Sequence, residues 1–146
     1  MKKIILIAIS ILVWQGAWAE DDPEHLIKYR KATMKALGGH LTAATQIVKG
    51  RVSMPEQLEM HAVAIVSITG NIKSLFGEGT DFGETRAKEN IWEQWEAFGK
   101  VASDSANEAK SFRSVVRGGD LGAAKTAIKP LAKSCNSCHK KYREEE

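Results

Sequence analysis

Cys135-Asn136-Ser137-Cys138-His139 concentrates the residue types best able to do chemistry in this chain. Two thiols three positions apart, followed at once by an imidazole, form the C-x-x-C-H spacing through which c-type haem is attached covalently. On a helix, residues three and four apart share a face. Both sulfurs can therefore reach the two vinyl groups of one porphyrin while the imidazole turns to the iron. A thioredoxin-like pair also uses C-x-x-C, but beside a βαβ pattern, and here the flanking residues repeat with a helical period. A closed structural zinc site wants four protein ligands. The chain has 2 cysteines, and its other histidines, His25, His40 and His61, are scattered through the first half without paired-ligand spacing. A local disulfide would leave His139 without a role.

The N-terminus points to the compartment in which such chemistry occurs. Met1-Lys2-Lys3 is a positive start, Ile4 to Trp14 is apolar apart from Ser10, and Ala17-Trp18-Ala19 is an A-x-A cleavage signal. Residues 1–19 read as a secretory signal peptide, too short for a comfortable membrane span. Cleavage leaves one domain, residues 20–146, a length that suits a single core. Periplasmic export fits covalent haem attachment, which in bacteria takes place on the far side of the energy-transducing membrane. The full chain carries 21 Lys and Arg against 18 Asp and Glu, and loss of Lys2 and Lys3 brings it close to neutral. Nucleic acid is thereby disfavoured as a partner. Both cysteines belong to the motif, so no disulfide framework supports the fold.

Four helical segments are expected around the motif. Asp22-Pro23 opens the first, which runs to Gly50 with Leu26, Ile27, Thr33, Met34, Leu37, Leu41, Ala44 and Val48 at three-four spacing. Gly38-Gly39 within it suggests a bend or a close helix approach. Ser53-Met54-Pro55-Glu56 reads as a capping box, and the second helix follows to Leu75. A glycine-rich loop from Phe76 to Gly83 lacks the Lys-Ser/Thr pair of a phosphate-binding loop. The third helix spans roughly Ala87 to Val116, and Gly118-Gly119 stops it. Asp120 caps the fourth, whose Pro130 is expected to kink or unwind it one turn before Cys135. The fold class that follows is all-α, an antiparallel four-helix bundle with covalent haem near the C-terminus.

A C-terminal haem motif in a four-helix chain behind a signal peptide resembles the class II c-type cytochromes, the cytochrome c′ family. Lys28-Tyr29-Arg30-Lys31, Phe76-Gly77-x-Gly79-Thr80, Ile91-Trp92 and Cys135-x-x-Cys138-His139-x-x-Tyr142-Arg143 carry the resemblance. It implies one haem c, with Cys135 and Cys138 as thioether attachments and His139 as the axial iron ligand. It further implies that Arg30 pairs with a haem propionate and that Lys31 lies near the haem edge. Arg143 would stand beside the proximal histidine, Phe76 would line the distal pocket, and Glu84 would be an acidic loop residue near the propionates. Read without the family pattern, Arg30 and Lys31 are ordinary solvated charges. Lys133, Lys140 and Lys141 could form a basic rim that steers an acidic redox partner or simply a solvated face. Members of the family often pair as homodimers through the first two helices.

Met34 decides between two kinds of function. In the resembling family this position holds either a residue that leaves iron five-coordinate or a methionine that ligates it. Met/His ligation favours a low-spin electron carrier. An open apolar distal side admits small uncharged gases such as nitric oxide or carbon monoxide, and the five-coordinate members offer the nearer match to the Phe76-to-Thr80 segment. A methionine that merely fills the core is the plain structural reading. The function expected is one-electron transfer with a periplasmic redox partner protein, together with gas binding and without substrate turnover. The other-class alternative, a haem peroxidase-like enzyme, wants a distal acid-base residue, and no histidine lies beside Met34 or Phe76 along the chain.

Overall fold

Asp22 begins the computed structural model, which describes residues 22–145; the expected signal peptide at 1–19 lies outside the described residues. The Asp22 carboxylate accepts a hydrogen bond from the Glu24 amide at 2.9 Å, satisfying one of the donors that a helix start leaves over. From there α1 runs Pro23–Val48, α2 Leu58–Thr69, α3 Asn90–Glu93, α4 Trp95–Arg117 and α5 Leu121–Tyr142. Single 3₁₀ turns stand before α2 (Pro55–Gln57) and after it (Lys73–Leu75). α1 packs on α2 and α5, and α4 packs on the same two, which closes a ring of four helices. This is the expected antiparallel four-helix bundle, with α3 as one extra turn lying against α4.

Small residues set the spacing of that ring. Ala44, Ala62, Ala109 and Ala124 are wholly buried, one on each long helix, while Ile65, Phe98, Phe112 and Leu131 fill the volume between. Burying such side chains contributes about 1.5–3 kcal/mol each, which holds the helices far better than their intrinsic propensity does. Among the described residues, no helix is long and apolar enough to cross a membrane.

Several boundaries differ from expectation for identifiable reasons. The third segment does not start at Ala87: residues 87 and 88 are extended and pair with the end of α5 through an Ala87–Arg143 bridge. It is also divided at Gln94 (φ −114°, ψ 40°). The break directs Trp92 towards Gly77 and Phe76, and Trp95 towards Phe98 and Lys73. The second helix ends at Thr69 rather than Leu75, and no side-chain cap forms at Ser53-Met54. Gly38 and Gly39 lie within α1 with nothing within 4 Å of where a Cβ would stand, so they mark no close helix approach. Pro130 does not unwind α5, which is helical from Leu121 to Tyr142. Pro130 and Thr126 are both exposed, so the carbonyl that loses its amide partner faces water.

Candidate functional site

The motif rides on the last turns of α5. Asp120 caps this helix by accepting from the Gly122 and Ala123 amides at 2.8 and 3.0 Å. Ala124, Ile128, Leu131 and Tyr142 form its buried stripe, and Cys135 and Cys138 sit half-buried at the border of that stripe, packed on the core. They form no disulfide with each other. Burial pushes Cys135 up, and burial followed by the neighbouring Cys135 pushes Cys138 up to about 11. Each therefore keeps its S–H at neutral pH, and thioether attachment would add that sulfur and hydrogen across a vinyl C=C. His139 is held below its usual pKa by burial first, then by Arg143 and Arg86. A neutral imidazole keeps a lone pair for a metal.

The end of α5 is clasped by the loop before α3. Lys88 donates its amide to the Tyr142 carbonyl at 3.0 Å, Glu144 donates to the Arg86 carbonyl at 2.8 Å, and the Arg86 guanidinium returns a bond to the Glu144 carbonyl at 2.8 Å. Asn90 adds a side-chain bond to the Lys141 carbonyl at 3.3 Å. His139 is thus on a helical turn whose C-terminal continuation is fixed by pairing rather than left to fray.

Arg30 is the second focus. It is 3% exposed, and burial lowers its pKa from the ordinary guanidinium value. Its donors reach Thr80 Oγ1 at 2.8 Å, the Thr80 carbonyl at 2.9 Å and Thr85 Oγ1 at 2.7 Å. The guanidinium lies over Phe76 (4.7 Å to the ring centre) and Trp92 (5.8 Å). Every one of these partners is neutral. Among the described residues no carboxylate faces Arg30, although buried charges are ordinarily paired.

Aromatic contacts connect the two foci. Phe76 meets Phe98 edge-on at 4.8 Å, and Phe98 meets Tyr142 at 5.2 Å, one turn beyond His139. Met34 is half-buried and packs against the same core that Cys135 and Cys138 border. The structure accordingly brings Phe76, Met34, Cys135 and Cys138 to one core, sets Arg30 against Phe76, and carries His139 half-buried next to Cys138 on α5. Lys31 and Glu84 stay at its edge, where Lys31 Nζ donates to the Glu84 backbone carbonyl at 3.1 Å. Arg143 is exposed, with its amide bonded to the His139 carbonyl at 2.9 Å.

Sequence reasoning missed Thr80, Thr85, Trp92 and Arg86 as parts of this site. Thr80 is wholly buried, and the Trp92 indole N–H donates to the Gly77 carbonyl at 3.1 Å, fixing the loop that presents it. Gly79, at φ +73°, supplies the turn that sends Thr80 inward. A threonine directly after a Gly-x-Gly turn was the available signal. The set present fits a covalent haem: two thiols and an imidazole on the last turns of one helix and, among the described residues, a buried cation partnered by neutral oxygens and ring faces, ready for a carboxylate such as a propionate.

A protein-family model described as cytochrome C′ matches residues 25–143. The cytochrome c′ of Pararhodospirillum photometricum is 34% identical over 123 residues, covering 84% of this chain and 98% of that protein. The cytochrome c′ of Rhodospirillum rubrum is 30% identical over 145 residues, covering 98% and 99%. A solved cytochrome c′ structure superposes with a TM-score of 0.80 at 30% identity, over 87% of this chain and all of that one.

Proposed function

Because the chain belongs to the cytochrome c′ family and binds one covalent haem c, we propose that it acts in the periplasm as a one-electron carrier. On this reading its iron also takes a small uncharged gas such as nitric oxide or carbon monoxide, and it turns over no substrate. The observation that carries the reading is the buried Arg30, paired only with neutral groups around the core that the haem motif borders. A fixed positive charge of this kind favours added negative charge nearby, as on reduction.

When bound, the haem supplies a one-electron couple and, where a position on the iron is open, a place for a diatomic ligand. The chain's own residues do the rest. Cys135 and Cys138 hold the group covalently, His139 offers its neutral imidazole to the iron, and Arg30 meets a propionate. Phe76 and Met34 keep the distal side apolar, while Lys31, Glu84 and Arg143 shape its rim. The Phe76-Gly77-x-Gly79-Thr80 segment, the nearer match to five-coordinate members of the family, supports the open-site reading over iron ligation by Met34, which is half-buried against the core. A peroxidase-like role gains no support from His40, which bonds to His61 across α1 and α2. Pairing of two copies belongs to the same proposal: the solved relative at 30% identity is described as showing ligand-controlled dimer dissociation, and Tyr29 and Met60 expose apolar surface on α1 and α2 here.

Met34→Leu tests the distal side. With Met34 only packed, the wild type is high-spin, binds nitric oxide directly, and changes little on this nearly volume-conserving swap. A sharp low-spin spectrum that Met34→Leu abolishes would instead establish the methionine-ligated carrier.

A further inference from the structure

His40 and His61 come together across α1 and α2 although 21 positions separate them, with Nδ1 to Nδ1 at 3.0 Å and ring centres at 5.3 Å. Neither belongs to the haem-binding set. Both side chains are partly exposed, so an ion can reach them from solvent. Their backbones are fixed nonetheless. Leu37 and Ala44 are buried on either side of His40, and Leu58, Ala62 and Ile65 surround His61 in sequence, all within the core.

Two neutral imidazoles at this distance share one hydrogen: one Nδ1 donates and the other accepts. The donating ring can carry its proton on Nε2 instead, which frees both Nδ1 lone pairs without net loss of a proton. Two nitrogens bound to one Zn²⁺ at about 2.0–2.1 Å and a tetrahedral angle lie about 3.3 Å apart. The pair needs to open by only about 0.3 Å and turn its rings towards a common point.

We propose that His40 and His61 form a two-histidine chelate for a late first-row divalent ion, Zn²⁺ or Cu²⁺, with water completing the coordination. Imidazole suits both ions. Burial and the neighbouring His40 hold His61 below its usual pKa, so protons compete little for the site at neutral pH. At three-four spacing from the pair, Leu37, Ala44, Leu58 and Ile65 are buried, and the remaining Ala36, Ala43, Gln57 and Ala64 are uncharged. None of these eight positions brings a cation to repel the ion.

The experiment uses the full haem-loaded chain, diluted until sedimentation reports a single copy. Titration calorimetry with Zn²⁺ is expected to give one ion per chain. His40→Gln and His61→Gln should each weaken binding at least tenfold, and His25→Gln should leave it unchanged. With Cu²⁺ as probe, the electron paramagnetic resonance spectrum should carry coupling to two imidazole nitrogens, reduced to one or none in either variant. Circular dichroism checks that both variants remain folded. Absence of Zn²⁺ binding by the wild type, unchanged affinity in either variant, or an equal loss on His25→Gln would overturn the proposal. Because Met34 and the haem iron take no part, this outcome is independent of the spin-state test above.

Discussion

Thr80 and Thr85 give Arg30 oxygens to bond and no charge to neutralise it. Thr80→Val keeps the shape and removes an acceptor from a buried cation, and the Gly77 carbonyl also loses the hydroxyl that donates to it at 2.8 Å. Leaving a buried donor unsatisfied costs about 1–3 kcal/mol, which a shift of the denaturant midpoint of the haem-loaded protein would register; an unshifted midpoint would mean that water replaces the hydroxyl. Arg30→Ala asks the functional question. Haem should stay attached through Cys135 and Cys138, and the reduction potential should fall because a charge that favours the added electron is gone. Each 1.4 kcal/mol of lost stabilisation reads as about 59 mV for one electron, and an unchanged potential would remove Arg30 from the site.

Glycine has opposite meanings on two helices. Gly119, just past α4, has φ +77°, so Gly119→Ala should destabilise the bundle by about 1 kcal/mol because a side chain resists the left-handed conformation. Gly39 lies inside α1 with open space about it, so Gly39→Ala should stabilise by a few tenths to about 1 kcal/mol. Thermal unfolding of the two variants in parallel would show shifts of opposite sign. The same contrast explains what could be read from the sequence. Asp22, Gly118-Gly119 and Asp120 act through their own neighbours along the chain, and the helix ends they imply are where they should be. The C-x-x-C-H motif was legible for the same reason. The extended Ala87-Lys88 and the placement of Trp92 beside the loop rest on partners more than 50 and 15 positions away, at Tyr142 to Glu144 and at Gly77. No local pattern encodes such pairings. The histidine pair escaped for the same cause, since spacing along one helix is informative and spacing between helices is not.

On the scale of the molecule, the charges around the site occupy two depths. Lys31 and Arg143 are on the surface, whereas Arg30 is inside, against the rings of Phe76 and Trp92. Mobile ions gather around the surface pair and damp their fields within about 10 Å at 0.1 M salt, but they cannot enter the interior. The reduction potential should therefore divide into a part that drifts with ionic strength and a part that does not. The difference between wild type and Lys31→Ala or Arg143→Ala should shrink from 10 mM to 1 M salt, and the difference caused by Arg30→Ala should hold steady. Depth would then act as a filter: the cell's changing electrolyte could tune how a redox partner is met at the rim, while the electron affinity set by the interior Arg30 stays constant.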